Sequence, residues 1–252
     1  MPMVDASGIR IHYDLTGDGP PVVLHGSVAG DMRLWRDAGY IDGLGGMSVV
    51  TVDPRGHGLS DRPHGLPAHR IGHYVDDVVQ VLDALSVERC AFLGHGDGAC
   101  IGLELAARRP DRIDRLVMIG AIEDPAQRPA VARALRVGGI GPVVRSLARA
   151  EDLELPSWLW MQLIESDLEM VCCQLEAWAD WPGVWPLLPH IHVPTLLVVG
   201  EHEDPGGDAE RAAATMPAGV AATVADAGHL GVLLQTDAVL RRAAPFLSEA
   251  AR

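Results

Sequence analysis

His229, in the run Ala227-Gly228-His229-Leu230, follows an apolar stretch and is the best-placed general base in the chain. A base of this kind needs a carboxylate to fix its ring, and Gly200-Glu201-His202-Glu203-Asp204-Pro205 offers two. Counting three residues from Gly200 selects Glu203, and Asp204 beside Pro205 is the other candidate. Glu123 and Asp124 are alternative acids. The third segment, Leu93-Gly94-His95-Gly96-Asp97-Gly98-Ala99, follows an apolar strand and opens a helix. In that setting a Gly-x-nucleophile-x-Gly turn presents its middle side chain to a substrate. Here the middle residue is Gly96, so the turn has nothing to attack with. Moving the turn by one residue would make Asp97 the nucleophile, but His95 would then stand where a small residue is needed, and Gly94 with Gly98 fits only a turn centred on Gly96. Asp97 remains a candidate carboxylate beside the turn.

Such groups must come from different segments, and the chain alternates in the way that supplies them. Short apolar runs at 9–13, 22–24, 48–52, 90–93, 116–119, 195–199 and 221–224 read as strands, separated by segments with helical spacing such as 71–85 and 98–109. This pattern predicts an α/β fold with a mainly parallel sheet covered by helices on both faces. Between about 124 and 190 the alternation stops and a proline-broken, helix-rich stretch takes over, read as an inserted cap dividing the core into 1–123 and 191–252. Five of the six tryptophans, Trp158, Trp160, Trp178, Trp181 and Trp185, fall in that stretch. They suit either an aromatic wall around a substrate or the cap's own packing.

The formal net charge of −14 disfavours a phosphate backbone as partner, so no nucleic acid is expected. No apolar run is long enough to span a bilayer, and the opening Met1-Pro2-Met3-Val4-Asp5 lacks the order of a signal peptide, so the expectation is a cytoplasmic protein without a membrane partner. Cys90, Cys100, Cys172 and Cys173 have no metal-like spacing and read as reduced, packed thiols. Neither a metal nor a cofactor is expected, because the glycines near residue 96 belong to the turn and not to a phosphate-binding loop. The partner implied is a small molecule; oligomeric state is left open.

Four segments together resemble the alpha/beta-hydrolase superfamily, on its esterase, epoxide-hydrolase and dehalogenase-like side. They are Val22-Val23-Leu24-His25-Gly26-Ser27, the loop Asp53-Pro54-Arg55-Gly56-His57-Gly58-Leu59-Ser60-Asp61-Arg62-Pro63, the turn around Gly96, and Ala227-Gly228-His229-Leu230. The resemblance implies an oxyanion hole formed by the backbone N–H groups of Ser27 and Asp97, and a pocket bordered by His25. It also implies hydrogen-bonding scaffold roles for His25, His57 and His95, and its usual Asp-Pro pairing leans the choice of acid to Asp204. With no elbow nucleophile, the expected chemistry is general-base catalysis by His229 without an acyl-enzyme, on a small apolar carbonyl, ester or lactone substrate. A proton abstraction of the lyase or cyclase type is equally open. Two other readings fit: a ligand-binding protein on a retired hydrolase scaffold, and a serine hydrolase carrying an introduced glycine.

Overall fold

In the computed structural model, which describes residues 1–120 and 125–249, eight strands form one twisted sheet. They are β1 Met3–Asp5, β2 Arg10–Thr16, β3 Pro21–His25, β4 Ser48–Val52, β5 Cys90–His95, β6 Ile113–Ile119, β7 Thr195–Gly200 and β8 Gly219–Val224. The order is β1-β2-β4-β3-β5-β6-β7-β8, with the β1–β2 and β2–β4 pairs antiparallel and the pairs from β4–β3 to β7–β8 parallel. Parallel neighbours must be joined by crossovers, which place helices on both faces of the sheet and bury the central strands on two sides. Hence β3 and β5 are largely apolar, with nearly every side chain buried.

The two faces carry separate apolar clusters. Helices Ile71–Ala84 and Asp97–Arg108 close one of them; Ile71, Tyr74, Val75, Val78 and Leu82 recur at helical spacing and are buried against the sheet. Helix Thr236–Ser248, with Val239, Leu240, Ala243 and Leu247 turned inward, closes the other. Between β6 and β7 the chain runs through four helices, Arg128–Gly138, Ile140–Ala150, Ser157–Ile164 and Leu168–Ala177. Their apolar faces join the same two clusters: Trp178 and Trp181 belong to the first, and Ala132, Leu135, Leu159 and Val171 to the second.

For Trp178 and Trp181 this arrangement selects packing, the second of the two readings, over a wall around a substrate. Trp178 is fully buried, meets Tyr74 edge-on, and its indole N–H donates to the His69 carbonyl at 2.8 Å. Trp181 donates to Glu104 at 2.6 Å. A buried indole needs an acceptor for its single N–H, and both rings find one in the seam against the core, where they serve as packing. Trp185 is exposed; Trp158 and Trp160 are half-buried, with the Arg145 guanidinium 4.9 Å over the Trp160 ring. Among the described residues no helix is long and apolar enough to cross a membrane.

Candidate active site

Strand β5 ends at His95, and the chain reverses at Gly96 into the helix Asp97–Arg108. Gly96 has φ +55° and ψ −117°, a backbone state that a residue with a side chain holds only under strain. Its flanking glycines are sterically required: a Cβ on Gly94 would strike the Gly98 backbone, and one on Gly98 would strike the His25 carbonyl. The close approach sets the end of β3 against the first turn of the helix. It brings the loop of Ser27 to the turn, and a Cβ on Gly96 would lie 2.5 Å from Ser27 Oγ and 3.5 Å from His229 Cε1. Among the described residues, neither the Ser27 nor the Asp97 amide N–H donates within the protein.

His229 begins the short helix His229–Leu234 after β8. Its Nδ1 lies 2.6 Å from Glu203 Oε1, and the Glu203 side chain is 4% exposed. The carboxylate holds the proton on Nδ1 and leaves Nε2 as the basic nitrogen. Glu203 is itself braced by the Gly200 amide at 3.1 Å. The leaning toward Asp204 is therefore corrected. Asp204 accepts from the Asp208 and Ala209 amides at 2.7 and 2.9 Å and caps the helix Asp208–Thr215, which holds its carboxylate away from the imidazole. Glu123 and Asp124 lie outside the described residues.

Asp97 is placed differently from the carboxylate expected beside the turn. It is 2% exposed, and its two oxygens accept from Arg128 and Gln174, each at 2.6 Å. The Arg128 guanidinium lies 4.9 Å over the Trp178 ring. Asp97 thus bolts the turn to helices Arg128–Gly138 and Leu168–Ala177, with both oxygens committed. His25 is buried, and its Nδ1 meets the Gly26 carbonyl at 3.2 Å. Burial lowers its pKa to about 4.

His95 packs its ring 4.6 Å from that of His229 and its Nε2 is 3.1 Å from the His229 carbonyl. Burial first, and then the neighbouring His229, lower its pKa to about 3, so it stays neutral and does not compete for the proton His229 would take. Gly120, at φ +104°, gives the pair room, since a Cβ there would lie 3.1 Å from His229 Cε1 and 3.5 Å from Glu203 Oε1.

One contributor was invisible in the sequence. Glu151, just after helix Ile140–Ala150, reaches the start of the His229 helix and accepts from the Leu230 amide at 3.0 Å and the Gly231 amide at 2.8 Å. An anionic group at a helix N-terminus satisfies N–H groups that would otherwise lack partners. Replacing Glu151 with alanine is expected to lower stability by about 1–2 kcal/mol, the range of a lost N-terminal cap. Chemical denaturation would measure it, and an unchanged midpoint would show that the contact does not hold the helix. No signal short of the tertiary fold identifies Glu151, because it lies far along the chain from the amides it meets.

A cleft of ≈ 590 Å³ lies between β2, the Asp53–Arg62 loop and residues 162–167. Its charged lining is largely paired, Arg33 with Asp31 and Glu165, Arg36 with Asp14, and Arg62 with Asp167, as on an ordinary solvated surface. It borders the loop that carries Ser27 without being lined by Ser27, Gly96 or His229. Glu201, His202 and Asp226 bring potential metal-binding atoms within 4.8 Å of one another, but all three are exposed, as acidic surface groups commonly are.

Fold and site together define an alpha/beta hydrolase whose elbow lacks a side chain. Residues 20–137 match the alpha/beta hydrolase fold family. The RutD protein of Pseudomonas savastanoi pv. phaseolicola, whose name proposes a carbamate hydrolase, is 31% identical over 193 residues, covering 73% of this chain and 70% of that protein. 3-Oxoadipate enol-lactonase 2 of Acinetobacter baylyi is 26% identical, over 79% and 78% of the two chains. The crystal structure of the enol-lactonase from Burkholderia xenovorans LB400 superposes with a TM-score of 0.84 at 26% identity, covering 98% of this chain and 100% of that one. The chain belongs to the alpha/beta-hydrolase superfamily and is an enzyme of that class.

Proposed function

We infer that this enzyme cleaves a small ester-like carbonyl compound, a lactone or a carbamate, by direct attack of water and without an acyl-enzyme. Relatives named for enol-lactone and carbamate hydrolysis support the substrate class. The observation that carries the mechanism is the His229–Glu203 pair at 2.6 Å, standing beside a turn that has no nucleophile of its own.

In this reading His229 Nε2 takes a proton from water as the water oxygen bonds to the carbonyl carbon. Glu203 stabilises the imidazolium, and the amides of Ser27 and Asp97 receive the negative charge gathering on the carbonyl oxygen. The intermediate collapses as His229 returns the proton to the leaving oxygen or nitrogen. The N–H donors belong to the backbone, so loss of the elbow side chain does not remove them. In serine hydrolases such donors and binding alone retain roughly 10³- to 10⁴-fold catalysis over water when the triad is removed.

Single-turnover hydrolysis of p-nitrophenyl acetate and δ-valerolactone, with intact-protein mass measured on quenched samples, tests this reading. Product is expected without an initial burst and without any mass increase of the protein. An acyl adduct on the chain, or no turnover of either compound, overturns it.

A further inference from the structure

A glycine at the elbow does not leave its side-chain position empty. Ser27 Oγ stands 2.5 Å and Ser27 Cβ 3.0 Å from the point where a Cβ of Gly96 would be, and His229 Cε1 is 3.5 Å from the same point. The hydroxyl of the loop after β3 has therefore entered the place where this fold ordinarily carries its nucleophile. The loop is held there from behind. Asp53, 2% exposed, accepts from the Met32 amide at 2.9 Å and from the Leu59 amide at 2.9 Å, tying the segment after Ser27 to the segment after β4.

We propose that Ser27 is a catalytic residue in its side chain as well as its backbone: its hydroxyl holds the attacking water against His229, replacing the absent elbow hydroxyl. This rests on the water-attack reading above. Two features select a water-holding role over a nucleophilic one. Ser27 Oγ and His229 make no direct hydrogen bond, so the hydroxyl is not set up to lose its proton to the imidazole. Both groups lie close to the same Cβ position, 2.5 Å for Ser27 Oγ and 3.5 Å for His229 Cε1, so the two side chains are near enough for one water to bridge them.

The step balances without a change in Ser27. One hydrogen of the water bonds to Ser27 Oγ and stays on the water oxygen, while the other passes to His229 Nε2 as the oxygen bonds to the carbonyl carbon. His229 then protonates the leaving group as its bond to that carbon breaks. The amide of Ser27 meanwhile points to the developing oxyanion, so one residue addresses both the incoming and the receiving oxygen.

The test compares Ser27→Ala, His229→Ala and the double variant on p-nitrophenyl acetate and δ-valerolactone, with thermal unfolding of each recorded. Ser27→Ala is expected to lower kcat roughly 10- to 100-fold with little change in KM, the scale of losing one well-placed polar group around a reacting centre. In the His229→Ala background the same change is expected to add almost nothing, because the water it would hold has no base to receive its proton. A merely structural role would lower both backgrounds alike. Wild-type kcat in Ser27→Ala, equal losses in both backgrounds, or an acyl adduct on Ser27 would each overturn the proposal. If Ser27→Ala is neutral while His229→Ala is inactive, the water-attack reading stands and only the role of Ser27 falls.

Discussion

Replacing His229 with alanine is expected to lower kcat by roughly 10²- to 10⁴-fold, the usual contribution of a positioned general base. KM should change little, because the imidazole touches the reacting water more than the bound ester. Glu203→Gln is expected to fall in the same direction by less. The amide keeps the shape of the side chain but cannot offset the positive charge that His229 gains, and it can present an N–H to Nδ1 and favour the wrong tautomer. The Nδ1–Oε1 contact of 2.6 Å and the near-complete burial of Glu203 make that charge compensation effective. Steady-state kinetics on the two carbonyl probes measure both effects. Turnover that survives in His229→Ala would remove the imidazole from the reaction.

The largest expected loss of stability follows from Asp97→Ala. The Asp97 and Arg128 side chains are each 3% exposed and meet at 2.6 Å, and Gln174 donates to the second Asp97 oxygen. Removing one partner of a buried ion pair destabilises by about 3–5 kcal/mol, because the other charge remains out of water. For a chain of this size that corresponds to a fall in Tm on the order of 10 °C. Asp97→Asn keeps one acceptor and should lie between the alanine variant and the wild type. Calorimetry decides the matter: an unchanged Tm accompanied by lost turnover would return Asp97 to the reacting groups.

What could be read in the sequence follows from the range of the forces involved. The turn at residue 96 was legible because Gly94 and Gly98 meet a local steric demand, and so was the alternation of strands and helices, which repeats a single buried pattern. His229 was legible as the basic residue placed just after a strand. The choice between Glu203 and Asp204 was not. Neighbours in sequence, they part because one side chain crosses to an imidazole while the other turns back to cap a helix, and only the three-dimensional path of the loop after β7 separates them. The role of the tryptophans stayed open for a related reason. Composition gives their number, but whether an indole lines a pocket or fills a seam depends on where its N–H finds an acceptor, as Trp178 does at His69 and Trp181 at Glu104. Glu151 and the Ser27 hydroxyl lay beyond sequence reasoning altogether, since each matters through a neighbour that is remote along the chain.

The backbone at Gly96 has a consequence for how this protein could change over time. A residue bearing a side chain at φ +55° and ψ −117° carries about 1–3 kcal/mol of conformational penalty, which glycine does not. Placing serine at this position would introduce that tension and push against the hydroxyl of Ser27 at the same moment. The two costs act together, so building a covalent serine hydrolase on this chain takes more than one substitution, and the loop after β3 must change with the turn.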